Sequence, residues 1–148
     1  MTPTIRRFRP TDQLAARALI EAGLGEHFAH LDRDANPDLV DIQLSYEHGA
    51  HAFFVAEYEG QIVGTTAVIV EATRCRLVRV AVAREHRRSR VATALLFKAI
   101  EFARERGVPE LVVYTQPEWS GALAFYQSHG FEIFGRDDID VHLRRPIG

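Results

Sequence analysis

Four arginines crowd the stretch Arg84-Glu85-His86-Arg87-Arg88-Ser89-Arg90-Val91-Ala92-Thr93, just ahead of a run with helical periodicity. Positive charge is the wrong sign for a helix start, which already carries about +0.5 of an elementary charge. Each cation placed there costs roughly 0.3–1 kcal/mol unless an anion relieves it. Open backbone N–H groups backed by guanidinium forks make a good phosphate site. The cluster also lies between a strand and a helix, where α/β sheets place phosphate-bearing ligands. A solvated basic loop with no ligand is the alternative reading on charge alone.

No other set of reactive side chains forms a competing motif. Among seven histidines, His27 and His30 are three apart, as are His48 and His51. Neither pair sits in an HExxH or has a third ligand at metal spacing, so no metal is expected. Ser89, Ser120 and Ser128 lack a G-x-S-x-G setting, which leaves serine hydrolysis unsupported. The single Cys75 excludes an internal disulfide and any C-x-x-C site. With 148 residues, 47% apolar and 26% charged, the chain reads as one globular domain over 1–148. Eighteen Lys+Arg against twenty Asp+Glu give a net charge of −2, which speaks against a dedicated nucleic-acid binder. No run of about 18 apolar residues exists, so no membrane span is expected. The opening Met-Thr-Pro-Thr-Ile-Arg-Arg lacks the apolar core of a signal peptide, and the expected compartment is the cytoplasm.

The elements that must position the arginines can be read in order. Residues 4–9 form a short strand, and Pro10-Thr11-Asp12 starts a helix to about Gly23, capped by Thr11 or Asp12. Asn36-Pro37-Asp38 starts a second, with Leu39, Ile42 and Tyr46 at helical spacing. Residues 52–58 and 61–71 are rich in β-branched and aromatic residues and are joined by a Glu59-Gly60 hairpin turn. A third strand covers about 75–82, and a helix spans 90–106 with Val91, Leu95, Ile100 and Phe102 on its apolar stripe. Leu111 to Thr115 is a short apolar strand, 119–128 a helix, and 131–135 and 138–144 two closing strands. The order β-α-α-β-β-β-α-β-α-β-β runs a meander into a βαβ-like unit. It predicts an α/β fold with a mixed central sheet of about seven strands flanked by about four helices. The apolar closing strands offer an edge for a homodimer.

The run Leu77-Val-Arg-Val-Ala-Val-Ala-Arg-Glu-His-Arg-Arg-Ser-Arg-Val-Ala-Thr-Ala-Leu-Leu96 resembles the acetyl-CoA signature of the GNAT superfamily of N-acetyltransferases. That family has a strand, then Q/R-x-x-G-x-G/A, then a helix. Here the pattern falls on Arg87, Arg88, Ser89, Arg90, Val91 and Ala92, followed by Thr93. Arg87 and Ala92 match, whereas Arg90 stands where the family usually has glycine. An arginine fits there if its backbone is helical and its side chain points away. A later element, Ala122-Leu-Ala-Phe-Tyr126-Gln-Ser-His-Gly130-Phe131, resembles the family's A-x-x-x-Y-x-x-x-G-F. Many members carry Asn seven residues before that tyrosine, and this chain has Trp119.

The resemblance implies a single-domain GNAT-like fold and acetyl transfer from acetyl-CoA to a primary amine of a small molecule or peptide, by direct attack in a ternary complex. It places backbone N–H groups of Val80, Ala81 and Val82 at the thioester carbonyl, where one such donor is worth roughly 2.7–4 kcal/mol in other enzymes. It makes Tyr126 the donor of a proton to the departing thiolate. A phenol near pKa 10 can protonate nascent thiolate, whose acid has a pKa of about 8.5. It assigns Arg87 to Thr93, with Trp119 and Tyr126, to the coenzyme. A lysine-like amine must lose its proton first, at a cost of about 4.6 kcal/mol at pH 7. Glu71 is the nearest base, with Glu118 or a histidine of the His27/His30 pair as others, and a water chain as the alternative. Glu26, Asp32, Asp34, Asp38 and Asp41 against Arg33 suggest an acidic rim that attracts a cationic amine. A non-catalytic acyl-CoA-binding module of the same fold is the rival reading.

Overall fold

The computed structural model describes residues 2–27, 35–47 and 49–147. The element order is β1 (Thr4–Arg7), α1 (Gln13–His27), α2 (Ile42–Tyr46), β2 (Ala52–Tyr58), β3 (Gln61–Val70) and β4 (Cys75–Val82). After these come α3 (Val91–Glu105), β5 (Glu110–Thr115), α4 (Ser120–Ser128), β6 (Glu132–Arg136) and β7 (Val141–Pro146). All seven strands join one sheet in the order β1-β2-β3-β4-β5-β7-β6, antiparallel throughout except for the parallel pair β4–β5. The mixed sheet and the succession of elements are those expected from the sequence.

Helices cover both faces, which explains why β2 is apolar without alternation. Phe53 and Val55 pack with Ile20, Leu39, Ile42 and Tyr46 on the α1/α2 face. Ala52, Phe54 and Ala56 pack with Val91, Leu95, Ala99 and Phe102 of α3 on the other. Gly64 lets α3 lie close on β3: a Cβ there would come within 2.7 Å of Val91 Cγ1 and 2.9 Å of Leu95 Cδ1.

Two local readings change. The first helix begins as a 3-10 turn, Pro10–Asp12, with Arg9 as its cap. Asp12 instead accepts bonds from Arg6 Nη1 and from the Arg9 amide, both at 2.8 Å. The helix also passes Gly23 and Gly25 to end at His27, and so carries Glu26 to the turn between β4 and α3. Two glycines weaken a helix by about 1 kcal/mol each without ending it when its apolar face is buried.

Candidate functional site

β4 and β5 pair only at Cys75–Leu111, Arg76–Val112 and Leu77–Val113. Beyond Leu77 the strands diverge, and β4 from Val78 to Val82 keeps β3 alone as its partner. The backbone N–H and C=O groups along that edge are therefore available to a ligand lying in the opening. A bulge shapes the same segment. Thr65 opposes Ala81 and Ala67 opposes Val78, so Thr66 faces two residues, Arg79 and Val80. Arg79 takes a left-handed φ of 54°, and its carbonyl accepts a bond from Thr65 Oγ1 at 2.8 Å. The extra residue reverses the alternation of β4, so that Val80 and Val82 turn toward α3 while Ala81 packs toward α1.

On the α3 side of this edge lies a narrow crevice with about 10 Å³ of free volume. Thr66, Leu77, Val80, Ala92, Leu95, Leu96, Phe125 and Tyr126 line it. Tyr126 sits among Phe125 and Phe131 with ring centroids 5.3 Å away. Burial pushes its phenol well above the usual value, so it stays protonated at neutral pH and can act as a donor. The Thr66 hydroxyl is buried with no hydrogen-bond partner among the described residues.

At the start of α3 the chain adopts the backbone expected of glycine. Arg88 and Arg90 both have φ of 68°. This corrects the expectation of a helical Arg90: the left-handed conformation is kept and an arginine is strained into it. Arg90 has no acceptor on its side chain and caps nothing, and the first intrahelical bond is Ala94 N to Arg90 O at 3.0 Å. The amides of Val91, Ala92 and Thr93 thus point out of an uncapped helix end. Ser89 is tied down by its hydroxyl, which donates to His86 O. The four arginines divide into two pairs. Glu26 accepts from Arg87 Nη2 at 2.7 Å and lies 3.5 Å from Arg84 Nε. Arg88 and Arg90 are exposed and have no ion pair among the described residues.

The opposite face of β4 carries a cavity of about 440 Å³ lined by Asp38, Tyr46, Ile69, Arg76, Leu77, Val78, Arg79, Tyr114 and Asp140. Leu77 borders both spaces. Arg79 reaches Asp38 with Nε at 2.9 Å and Nη2 at 2.7 Å, and Nη2 also donates to Asn36 Oδ1 at 2.9 Å. Tyr46 donates to the same carboxylate. Burial alone would push the Asp38 carboxyl up, but the bonds from Arg79 and Tyr46 outweigh it and hold it below the ordinary value. Burial and Asp38 together push the Tyr46 phenol up to about 12. Asp140 lies in the turn between β6 and β7, where Asp137 accepts from the amides of Ile139 at 2.8 Å and Asp140 at 2.7 Å. Its carboxylate has no ion pair among the described residues.

The other expected residues fall as follows. Glu71 lies at the turn after β3, 3.1 Å from Arg74 Nε and 3.7 Å from Arg76 Nε, and lines neither space. Trp119 precedes the first turn of α4, and Thr93 Oγ1 is 3.3 Å from His129 Nε2. Of the acidic rim, Asp41 accepts from Leu44 N at 3.1 Å as the α2 cap, Asp38 is clamped, and Glu26 holds arginines. Asp32, Asp34, Arg33, His30 and His48 lie outside the described residues. No group of three or more His, Cys, Asp or Glu is placed to hold a metal ion among the described residues. Nor is any described helix long and apolar enough to cross a membrane. Sequence reasoning missed Thr66 and Asp140: a threonine in a β-rich run and an aspartate in a turn carry no signal of their own.

Known proteins resemble the chain at two levels. The model of the acetyltransferase (GNAT) family matches residues 14–131. Human N-acetyltransferase 8 is 34% identical over 123 residues, covering 78% of this chain and 54% of that protein. Rat N-acetyltransferase family 8 member 2 is 32% identical over 117 residues, 75% of this chain and 51% of its own length. The chain therefore spans about half the length of these curated relatives. Among solved structures, a GNAT-family acetyltransferase from Staphylococcus aureus superposes with a TM-score of 0.90 at 22% identity, covering 99% of this chain and 100% of that one. The PaiA N-acetyltransferase from Thermoplasma acidophilum, solved in complex with coenzyme A, gives 0.85 at 16% identity, with 99% of both chains covered. With a family match across most of its length and a fold shared end to end, this chain belongs to the GNAT acetyltransferase family.

Proposed function

We propose that the chain transfers an acetyl group from acetyl-CoA to a primary amine of a small molecule or peptide, by direct attack while both substrates are bound. The observation that carries this reading is the divergence of β4 from β5 beside an uncapped, arginine-bearing start of α3. The two features put open amides along β4 and free positive charge at the start of the helix that follows it, as a thioester with a distant diphosphate requires. The N-acetyltransferase relatives and the coenzyme A complex of the Thermoplasma protein support it.

In this reading the amides of Val91, Ala92 and Thr93, with the guanidinia of Arg88 and Arg90, hold the diphosphate. Arg87 is a weaker contributor because Glu26 already occupies it. Backbone groups of Val80, Ala81 and Val82 hold the thioester arm and stabilise the carbonyl oxygen as charge builds on it. The amine enters from the cavity on the other face of β4. Its neutral nitrogen forms a C–N bond to the carbonyl carbon, and the C–S bond breaks. The nitrogen releases one proton to Asp140 or water, and the sulfur takes one from Tyr126, whose phenol is refilled from solvent. The products are an amide and the free thiol. Asp140 takes the place of Glu71 as the base, since it lines the cavity and, unlike Asp38, has no ion pair among the described residues, whereas Glu71 does not line it.

The rival reading of a non-catalytic acyl-CoA-binding module draws on one observation, the engagement of Glu71 by Arg74 and Arg76. Release of free thiol from acetyl-CoA, followed across a panel of polyamines, amino acids and lysine peptides, separates the two. Stimulation by at least one amine is expected. Tight thioester binding with no stimulation by any amine contradicts the enzyme.

A further inference from the structure

The crevice between β4 and α3 is lined by Leu77, Val80, Ala92, Leu95, Leu96 and Phe125, all apolar, and by two hydroxyl-bearing residues, Thr66 and Tyr126. Thr66 is 1% exposed, and its Oγ1 has no hydrogen-bond partner among the described residues. A buried hydroxyl left unmade is costly, and valine would fill the same place in a strand without that cost. Two other buried polar atoms lack partners among the described residues, Thr115 Oγ1 and Arg145 Nη1, but neither residue lines the crevice. Thr66 also faces the bulge at Arg79 and Val80, the point where β4 turns its side chains toward α3.

We propose that Thr66 Oγ1 is a second hydrogen-bond donor to the thioester sulfur, acting from β3 while Tyr126 acts from α4. The assignment rests on the acyl-CoA reading above. Of the polar atoms of a thioester, the carbonyl oxygen is served by the amides of the β4 edge. The acyl methyl needs no polar partner. The sulfur is the atom that requires a donor, because it acquires charge as the C–S bond breaks, and both hydroxyl-bearing residues line the same small space. Thr66 donates its hydrogen without giving it up. The proton that ends on sulfur comes from Tyr126.

The test uses Thr66→Val and Thr66→Ser, each titrated with coenzyme A and with desulfo-coenzyme A, which lacks the thiol. Thr66→Val is expected to weaken coenzyme A binding about tenfold, the scale of one hydrogen bond, and to leave desulfo-coenzyme A binding unchanged. Turnover falls by a similar factor, Thr66→Ser recovers most of both losses, and the thermal midpoint of the valine variant is no lower than that of the parent. Equal weakening for both ligands, or no change in either, overturns the sulfur contact while leaving the acyl-CoA reading intact. A parent chain that binds neither ligand overturns that reading and this assignment with it.

Discussion

The two spaces that flank the free edge of β4 differ in how their polar groups are satisfied. On the α3 side the crevice is apolar, contains two hydroxyls, and leaves Thr66 without a partner. The backbone around it holds strained residues, with Arg79, Arg88 and Arg90 all at positive φ. On the other side the cavity is ionic, and its main charges are already paired: Asp38 is gripped by Arg79 and Tyr46 before any ligand arrives. In the proposed function the first space is completed by a ligand of fixed chemistry. The second is a wall of paired charges past which the acceptor enters, with Asp140 as the carboxylate that has no ion pair among the described residues. A common thioester and a variable amine would call for this division.

The largest expected effect is on the crevice side. Tyr126→Phe removes the proton donor and keeps the ring packing, so kcat should fall by about 10²–10³. Calorimetry should show coenzyme A affinity within a factor of about three of the parent. An unchanged kcat would remove Tyr126 from the chemistry and favour the binding-module reading.

On the cavity side, Asp38→Asn should cost about 1–2 kcal/mol of stability at pH 7, because Arg79 loses its charged partner in a partly exposed site. The sign with pH follows from the depressed native value. The stabilisation is complete above the ordinary carboxylate value of 3.8 and is lost as pH falls through the lower native one. Urea unfolding at a series of pH values should therefore show the two proteins converging in acid, and a constant gap would contradict the pairing. The acceptor KM should rise in the same variant more than the KM for acetyl-CoA.

The smallest effect isolates backbone strain. Arg90→Gly relieves the left-handed residue, worth about 1–2 kcal/mol, against about 0.4–1 kcal/mol of added unfolded-state entropy. A net rise in thermal midpoint of about 2 °C is expected. Arg90→Ala removes the same charge and keeps the strain, so its midpoint should rise only by the relieved charge repulsion and stay below that of the glycine variant, and equal midpoints for the two variants would contradict the strain.

The strands and helices were legible because their apolar periodicities survive in the fold: Leu39, Ile42 and Tyr46 are buried together, and β2 is apolar on both faces because helices cover both. The position of the arginines at the start of α3 was legible for the same reason. What they touch was not. Gly23 reads as a stop, yet α1 continues and delivers Glu26 to Arg84 and Arg87 across 58 and 61 positions of sequence. The β4 bulge carries no glycine to announce it. It is held by Thr65 Oγ1 on the Arg79 carbonyl and by Asp38 on the Arg79 side chain, contacts that exist only once β3, β4 and the Pro37–Leu39 turn have assembled. The unpartnered Thr66 hydroxyl is likewise a property of packing.

The most direct test of the central claim, that the open edge of β4 and the start of α3 together grip a coenzyme A thioester, is calorimetric titration of acetyl-CoA. It should be made into the parent and into a variant combining Arg88→Ala and Arg90→Ala. Saturable one-to-one binding at micromolar concentration is predicted for the parent, with affinity reduced roughly tenfold or more in the variant and further as salt rises. Absence of binding by the parent at millimolar acetyl-CoA, or equal affinity of the two proteins, would contradict it.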